Sequence, residues 1–428
     1  MQRFLYSFLL YLSVPFILLR LYLRSLKSPG YRQCIAERFG GVTLPTNFDI
    51  KKSTTWIHAV SVGEIIAASP LVRELLNQDS EAQIVVSCMT PTGSIRSRAL
   101  FGNSVIHSYM PYDLPGSLTR FIKKLNPNML ILMETELWPN TVHYCHSRSV
   151  KIILANARLS EKSAANYRKF ASLTKGMLRK IDCIAAQTDA DAIRLIDLGA
   201  NPEKVEVTGS LKFIVDVNKA AENEGEIFER ISQSGRPVLI AASTRPGEEK
   251  KVLYAFKKCL ESSAELLLII VPRHPERFDE VINLCEKSNF SVQRRSTATA
   301  RFHSSGEPIQ ILIGDSMGEM LSYYRLAKIA FVGGSLVDTG CQNVLEPAAL
   351  GIPIVVGPSQ FNFATICNLL EEAGALVTVQ NEDELAMQVQ LLMANPEKQK
   401  LMADQGLAVV KRNQNALPAL LDIIKQVS

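Results

Sequence analysis

Acidic side chains that stand just beyond apolar runs are the first candidates for chemistry in this chain. Trp56-Ile57-His58-Ala59-Val60 is such a run, and Ser61-Val62-Gly63-Glu64 follows it ahead of an amphipathic stretch. Ser61 and Glu64 have the spacing of a capping box, in which the serine accepts from one free helix amide and the glutamate reaches back to another. At the mouth of a binding cleft the same glutamate would be a general base for a hydroxyl group, with Gly63 letting an acceptor approach the backbone. Glu134 and Glu136, in Met-Glu-Thr-Glu-Leu-Trp-Pro-Asn, come after a second apolar run, and Asn156 and Arg158 after a third. These groups would meet an acceptor or position the base; as plain loop residues they would be solvated. Arg158 would suit an acidic lipid headgroup.

The second half offers cations in the equivalent places. Arg245, in Ala-Ser-Thr-Arg-Pro-Gly-Glu-Glu, and Arg273, in Val-Pro-Arg-His-Pro-Glu-Arg-Phe, each lie where an apolar run passes into a helical pattern. Two such arginines fit an anionic donor carrying phosphate or carboxylate. Gly314-Asp315-Ser316-Met317-Gly318-Glu319 is a further tight turn. The segment from Gly333 to Pro353 carries Gly333, Gly334 and Gly340 ahead of a helix expected over Asn343–Leu350. Its first amides would favour an anion, and Glu346 could accept from a ribose diol. A glycine-rich structural turn is the plain alternative. The spacing is neither a P-loop nor GxGxxG, so ATPase and simple dehydrogenase readings lose ground.

The elements that must position these residues alternate in type. Strands are expected at Trp56–Val60, Ile84–Cys88, Val105–Tyr109, Met129–Met133, Lys151–Ala155, Cys183–Ala186 and Val205–Val207, with helical patterns such as Ile65–Leu76, Leu118–Leu125 and Ala164–Leu178 between them. The pattern turns polar around 217–228, then restarts with strands at Val238–Ala242, Leu266–Val271, Ile309–Ile313, Ile329–Val332 and Pro353–Val356. Further helices are expected at Gly247–Glu261, Glu276–Lys287, Met320–Leu326 and Ala364–Ala373. Continuous apolar strands alternating with helices predict parallel sheets covered on both faces. The fold class is therefore α/β, with two Rossmann-like domains facing across a cleft, the plan of a GT-B glycosyltransferase and of many other nucleotide-binding enzymes. The expected division is an anchor over 1–27, an acceptor-side domain over 28–216, a linker over 217–228 and a donor domain over 229–428 whose last helix can pack back on the N-terminal domain.

Phe4 to Leu19 is free of charge, and Arg20, Arg24, Lys27 and Arg32 follow. This is a marginal length for a bilayer span of roughly 20 residues, and either a spanning or an interfacial anchor is open. The cations place the rest of the chain on the cytoplasmic side of the inner membrane. No small-residue cleavage site follows, so a cleaved signal peptide is not expected; a buried core helix is the plain alternative. The chain has 428 residues, 47% apolar and 21% charged, which fits packed domains rather than disorder. The net charge of +5 is dispersed, and no nucleic-acid partner is expected. Eight cysteines without paired spacing suggest neither a disulfide framework nor a zinc site, and His143, Cys145 and His146 read as surface or packing residues.

Taken together, the ordered motifs resemble the bacterial Kdo (3-deoxy-D-manno-octulosonic acid) transferase family of lipopolysaccharide biosynthesis. They are Glu37-Arg38-Phe39-Gly40, His58 to Glu64, Glu134 to Asn140, Asn156 to Ser160, Gly209 to Phe213, Pro272 to Phe278 and Gly333 to Pro353. The resemblance implies CMP-Kdo as donor, a lipid A precursor as acceptor, inversion at the anomeric carbon and no bound metal or other cofactor. It implies Glu64 as general base, with Ser61, Gly63, Glu134, Glu136, Asn156 and Arg158 on the acceptor side. Donor-side positions are Lys212, Ser243, Arg245, Pro272, Arg273, Met317, Gly318, Gly334, Ser335, Gln342, Asn343 and Glu346. Where the family shows Gly-Gly-His-Asn this chain has Gly340-Cys341-Gln342-Asn343, so a cationic role at position 342 is lost. The rivals are a glycosyltransferase using a UDP-sugar and a non-enzymatic membrane scaffold.

Overall fold

Runs such as Met129–Met133 and Leu267–Pro272 are buried at every residue, so both faces of the sheets they enter must be covered. The computed structural model describes residues 2–215, 217, 226–297 and 309–428. Most of the linker expected at 217–228 lies outside the described residues. The chain divides into two compact units, Met1–Ile214 with Asn413–Ser428, and Val215–Arg412.

Unit 1 holds strands β1 (Thr54–His58), β2 (Gln83–Cys88), β3 (Ile106–Tyr109), β4 (Met129–Met133), β5 (Lys151–Ala157), β6 (Cys183–Ala186) and β7 (Val205–Val207). They form a parallel sheet of order β3-β2-β1-β4-β5-β6-β7. Alternate residues feed two cores: Trp56, Leu130, Leu132, Ile152 and Leu154 on one face, and Ile57, Ile131 and Ile153 on the other. The C-terminal helix Ala416–Val427 buries Leu420, Leu421, Ile423 and Ile424 in the second of these cores.

Unit 2 holds β8 (Val238–Thr244), β9 (Leu267–Pro272), β10 (Val292–Arg294), β11 (Ile311–Ile313), β12 (Ile329–Val332), β13 (Ile354–Val356) and β14 (Leu376–Thr378). Their order is β10-β11-β9-β8-β12-β13-β14, again parallel. Chain order reverses beside β1 and β4 in unit 1, and beside β8 and β12 in unit 2. Such switch points open a crevice at the carboxyl ends of the strands, which is where ligands bind in this kind of sheet.

Several expected boundaries move. The helix expected over Ala164–Leu178 is two, Glu161–Arg168 and Ala171–Leu178, because exposed Phe170 interrupts the apolar stripe; Thr174 Oγ1 donates to the Tyr167 carbonyl across the break at 3.0 Å. The helix expected over Asn343–Leu350 shrinks to Leu345–Ala349. Cys145 is buried in the core while Lys180 Nζ lies 3.0 Å from His143 Nδ1, so the His143–Cys145–His146 grouping serves packing and surface contacts.

The first helix, Gln2–Lys27, lies against unit 1 along a stripe that includes Arg3, Ser7, Leu10, Val14, Ile17 and Leu21. Arg3 Nη1 donates to Asn140 Oδ1 at 3.0 Å, Asn140 Nδ2 to Ser7 Oγ at 2.9 Å, and the Gly116 amide to Tyr11 Oη at 3.1 Å. Its other face is apolar and open, with Phe4 71% and Phe16 73% exposed alongside Phe8, Leu12, Leu19 and Leu23.

Candidate functional site

Glu64 sits one turn into the helix Val62–Gln78, which starts directly after β1 at the unit 1 switch point. Ser61 caps that helix, its Oγ accepting from the Glu64 amide at 3.4 Å and donating to Glu64 Oε1 at 2.9 Å. The other carboxylate oxygen accepts from the Val60 amide at 2.8 Å. The capping box is therefore present, reaching one residue further back than the usual form, and it orients the same carboxyl group that could act as a base. Glu64 is buried, and burial pushes its pKa up from 4.5 to about 7. The Val60 amide and Ser61 hydroxyl oppose that rise, while Glu136 and Glu134 add to it. A carboxylate tuned in this way can take a proton from a hydroxyl group near neutral pH. Any turnover that uses it rises with pH through about 7, which kcat measured across neutrality checks.

Beyond β4, Glu134 adopts left-handed backbone at φ 54° and pairs with Lys212 Nζ at 2.7 Å. Burial raises the pKa of Glu136, which accepts from the Trp138 indole at 3.0 Å. Lys212, expected on the donor side, thus lies in unit 1 among the acceptor-side acids. Asn156 interrupts the register of β5 with φ 55°, and its Oδ1 accepts from the Leu211 amide at 3.0 Å. It is buried and braces the segment that carries Lys212. Arg158 is exposed, and its carbonyl accepts from Thr135 Oγ1 at 2.6 Å.

Unit 2 repeats the device. Ser243 interrupts the register of β8 with φ 57°, as Asn156 does in β5. Such bulges re-aim the side chains at strand ends. Arg245 Nη1 donates to His274 Nε2, and the Arg273 amide to the Thr244 carbonyl at 3.1 Å, so the loops after β8 and β9 are joined. Arg273 is exposed at the end of β9, whose last residue, Pro272, is buried. Glu346 is half-buried; burial raises its pKa, while Asn343 and Arg273 act against the rise. Arg273, Asn343 and Glu346 therefore form one mixed-charge cluster. Met317 is 72% exposed, beside Gly318 at φ 89°.

The glycine-rich segment after β12 is bonded from within unit 2. The amides of Gly334, Ser335 and Leu336 are already filled by the carboxylate of Glu248, at 2.7, 3.1 and 2.9 Å. Ser335 is fully buried and its hydroxyl donates to the Val332 carbonyl at 2.6 Å. Gln342 Nε2 folds back onto the Gly340 carbonyl at 3.2 Å. Asn343 stands ahead of the short helix, which starts two residues later than expected, and its Oδ1 takes the Leu345 amide at 3.0 Å. Sequence reading missed Glu248, Glu249 and Arg277. An acidic pair opening a helix is ordinary dipole chemistry, and nothing local marks it as more.

Comparison with known proteins agrees with this arrangement. Residues 33–215 match the family 3-Deoxy-D-manno-octulosonic-acid transferase (kdotransferase), and residues 250–408 match Glycosyl transferases group 1. The chain is 41% identical to the 3-deoxy-D-manno-octulosonic acid transferase of Haemophilus influenzae, covering 99% of this chain and 98% of that one. It is 33% identical to the transferase of the same name from Bordetella pertussis, covering 99% of each. Among solved structures, UDP-GlcNAc 2-epimerase from Neisseria meningitidis aligns with a TM-score of 0.57 at 12% identity, over 88% of this chain and all (100%) of that one, a likeness of fold. A glycosyltransferase from Rickettsia africae aligns with a TM-score of 0.55 at 14% identity, over 88% and 98%. Near-complete coverage at 41% identity, two switch-point sheets and a tuned carboxyl group at the first of them lead to one assignment: the chain belongs to the Kdo transferase family and is a glycosyltransferase of GT-B fold.

Proposed function

We propose that the chain transfers Kdo from CMP-Kdo to a lipid A precursor, with inversion, in lipopolysaccharide inner-core synthesis. The observation that carries the mechanism is the Glu64 carboxyl group, held by Val60 and Ser61 with its pKa at about 7. The acceptor hydroxyl gives its proton to Glu64 while its oxygen bonds to the anomeric carbon of Kdo. The bond from that carbon to the CMP phosphate oxygen breaks, and CMP leaves with the electron pair. On the donor side, Arg273 and Arg245 supply positive charge for the phosphate and the sugar carboxylate. Asn343 and Glu346 supply polar partners for the nucleoside.

The N-terminal helix supports an acceptor embedded in a membrane. Its Arg3, Ser7 and Tyr11 bond unit 1 and its open face carries exposed apolar side chains, which fits the boundary of the inner membrane; Arg20, Arg24 and Arg32 favour the cytoplasmic side. Transfer of labelled Kdo onto a lipid A precursor in detergent micelles, from CMP-Kdo generated in place, tests the reading. Competition by CMP and not by UDP is the expected result. Competition by UDP alone would indicate a UDP-sugar donor, and no transfer by folded protein would indicate a scaffold.

A further inference from the structure

The carboxylate of Glu248 is fully buried and accepts four backbone hydrogen bonds. Oε1 takes the amides of Ser335 and Leu336, and Oε2 takes those of Gly334 and, at 3.1 Å, Arg245. A row of successive amides converging on one anion is the geometry that elsewhere holds a ligand phosphate. Here the anion belongs to the protein. It joins the end of β8 to the end of β12, the two strands that flank the switch point of unit 2.

The amides are also the fixed end of a closed loop. The Gln342 amide donates to the Gly333 carbonyl at 3.0 Å, and Thr339 Oγ1 donates to the Gly334 carbonyl at 3.2 Å. A β-carbon on Gly333 would lie 2.8 Å from Glu248 Oε2, and one on Gly334 only 2.5 Å from the Gly340 carbonyl oxygen. Gly333 is therefore required by the close approach of the β8 end and the carboxylate, and Gly334 by the close approach of the loop to itself. Whatever displaces residues 334–336 moves 340–343 with them, and Asn343 leads into Glu346.

We propose that Glu248 is a positioning residue for donor binding: its carboxylate takes the place of a ligand anion among the amides of 334–336 and so sets the loop that presents Asn343 and Glu346. This rests on the reading that unit 2 holds the CMP-sugar. It follows that the donor's own anionic groups are held by arginine side chains and not by this loop's amides.

The test uses the full-length protein in detergent, with CMP affinity measured by calorimetry and donor KM and kcat by transfer. Glu248→Gln keeps the size but can accept at one atom only, and it sets an NH2 against amide donors. The expected result is a rise in donor KM and CMP Kd of about tenfold or more, with kcat within about threefold. In Glu248→Ala, added formate should restore CMP affinity at least about threefold by entering the vacated amides, while chloride at equal ionic strength should not. Folded Glu248→Gln with donor KM within about twofold of wild type overturns the proposal, and so does formate acting no better than chloride. Should neither variant fold, hydrogen exchange on the wild type decides: amides 334–336 are expected to be protected without nucleotide, and exchange at the rate of an open loop overturns the proposal. A wild-type protein that folds but does not bind CMP sinks the donor reading itself, which is a distinguishable failure.

Discussion

Glu64→Gln lowers kcat by about 10²–10⁴-fold while CMP affinity stays within about twofold of wild type. The variant removes the proton acceptor and little else, because glutamine can still accept from the Val60 amide that now binds Oε2. CMP affinity is expected to hold because the residues proposed for the donor phosphate and nucleoside, Arg245, Arg273, Asn343 and Glu346, belong to unit 2. A stability measurement separates loss of the base from loss of structure. The folded protein holds the Glu64 proton more tightly than the unfolded chain does, so this group's contribution to stability falls as pH rises from about 4.5 to about 7. Replacing it with a neutral amide relieves that cost, by at most about 3 kcal/mol above pH 7 and by nothing at low pH. The melting temperature of Glu64→Gln should therefore exceed that of wild type at alkaline pH and converge with it near pH 4. A variant that is inactive and also less stable at every pH would have lost its structure instead. Retention of most activity would remove Glu64 from the mechanism.

The second large effect is on stability in unit 2. Arg277 Nη1 and Nη2 bond Glu249 Oε1 and Oε2 at 2.7 and 3.1 Å, and Glu280 is a second partner, at 3.1 Å from Nη2. Glu249 is 1% exposed and Arg277 7%. The pair ties the loop after β9 to the helix Glu248–Ser262 that follows β8, close to both Arg245 and Arg273. Arg277→Ala leaves a carboxylate buried without its counter-charge, which costs about 3–5 kcal/mol. For a unit of this size that lowers its melting temperature by roughly 10 °C, which calorimetry on the full chain reads directly. Arg277→Met combined with Glu249→Leu should recover most of the loss, since removing both charges removes the desolvation penalty as well. A loss under about 1 kcal/mol for Arg277→Ala would show that water reaches the pair.

Much of the architecture was legible because burial leaves a local trace. Met129–Met133 and Cys183–Ala186 were read at their observed bounds, since a strand covered on both faces is a short unbroken apolar run. Glu64 was legible for a related reason: a capping box marks a helix start, and a helix that starts after a central strand starts at the switch point. The order of motifs along the chain was enough to suggest the family.

Tertiary structure decided which distant groups meet. Lys212 reads as a donor-side cation, yet the fold sets it against Glu134. The glycines at 333 and 334 read as a lead into a helix, yet a carboxylate 86 residues before Gly334 binds the amides there. The pKa of Glu64 is likewise a property of the folded unit, because it comes from burial and from Glu136 and Glu134. Periodicity reports which face of an element is covered. It carries no record of what covers that face, because the partner is set by how the strands cross over in the sheet.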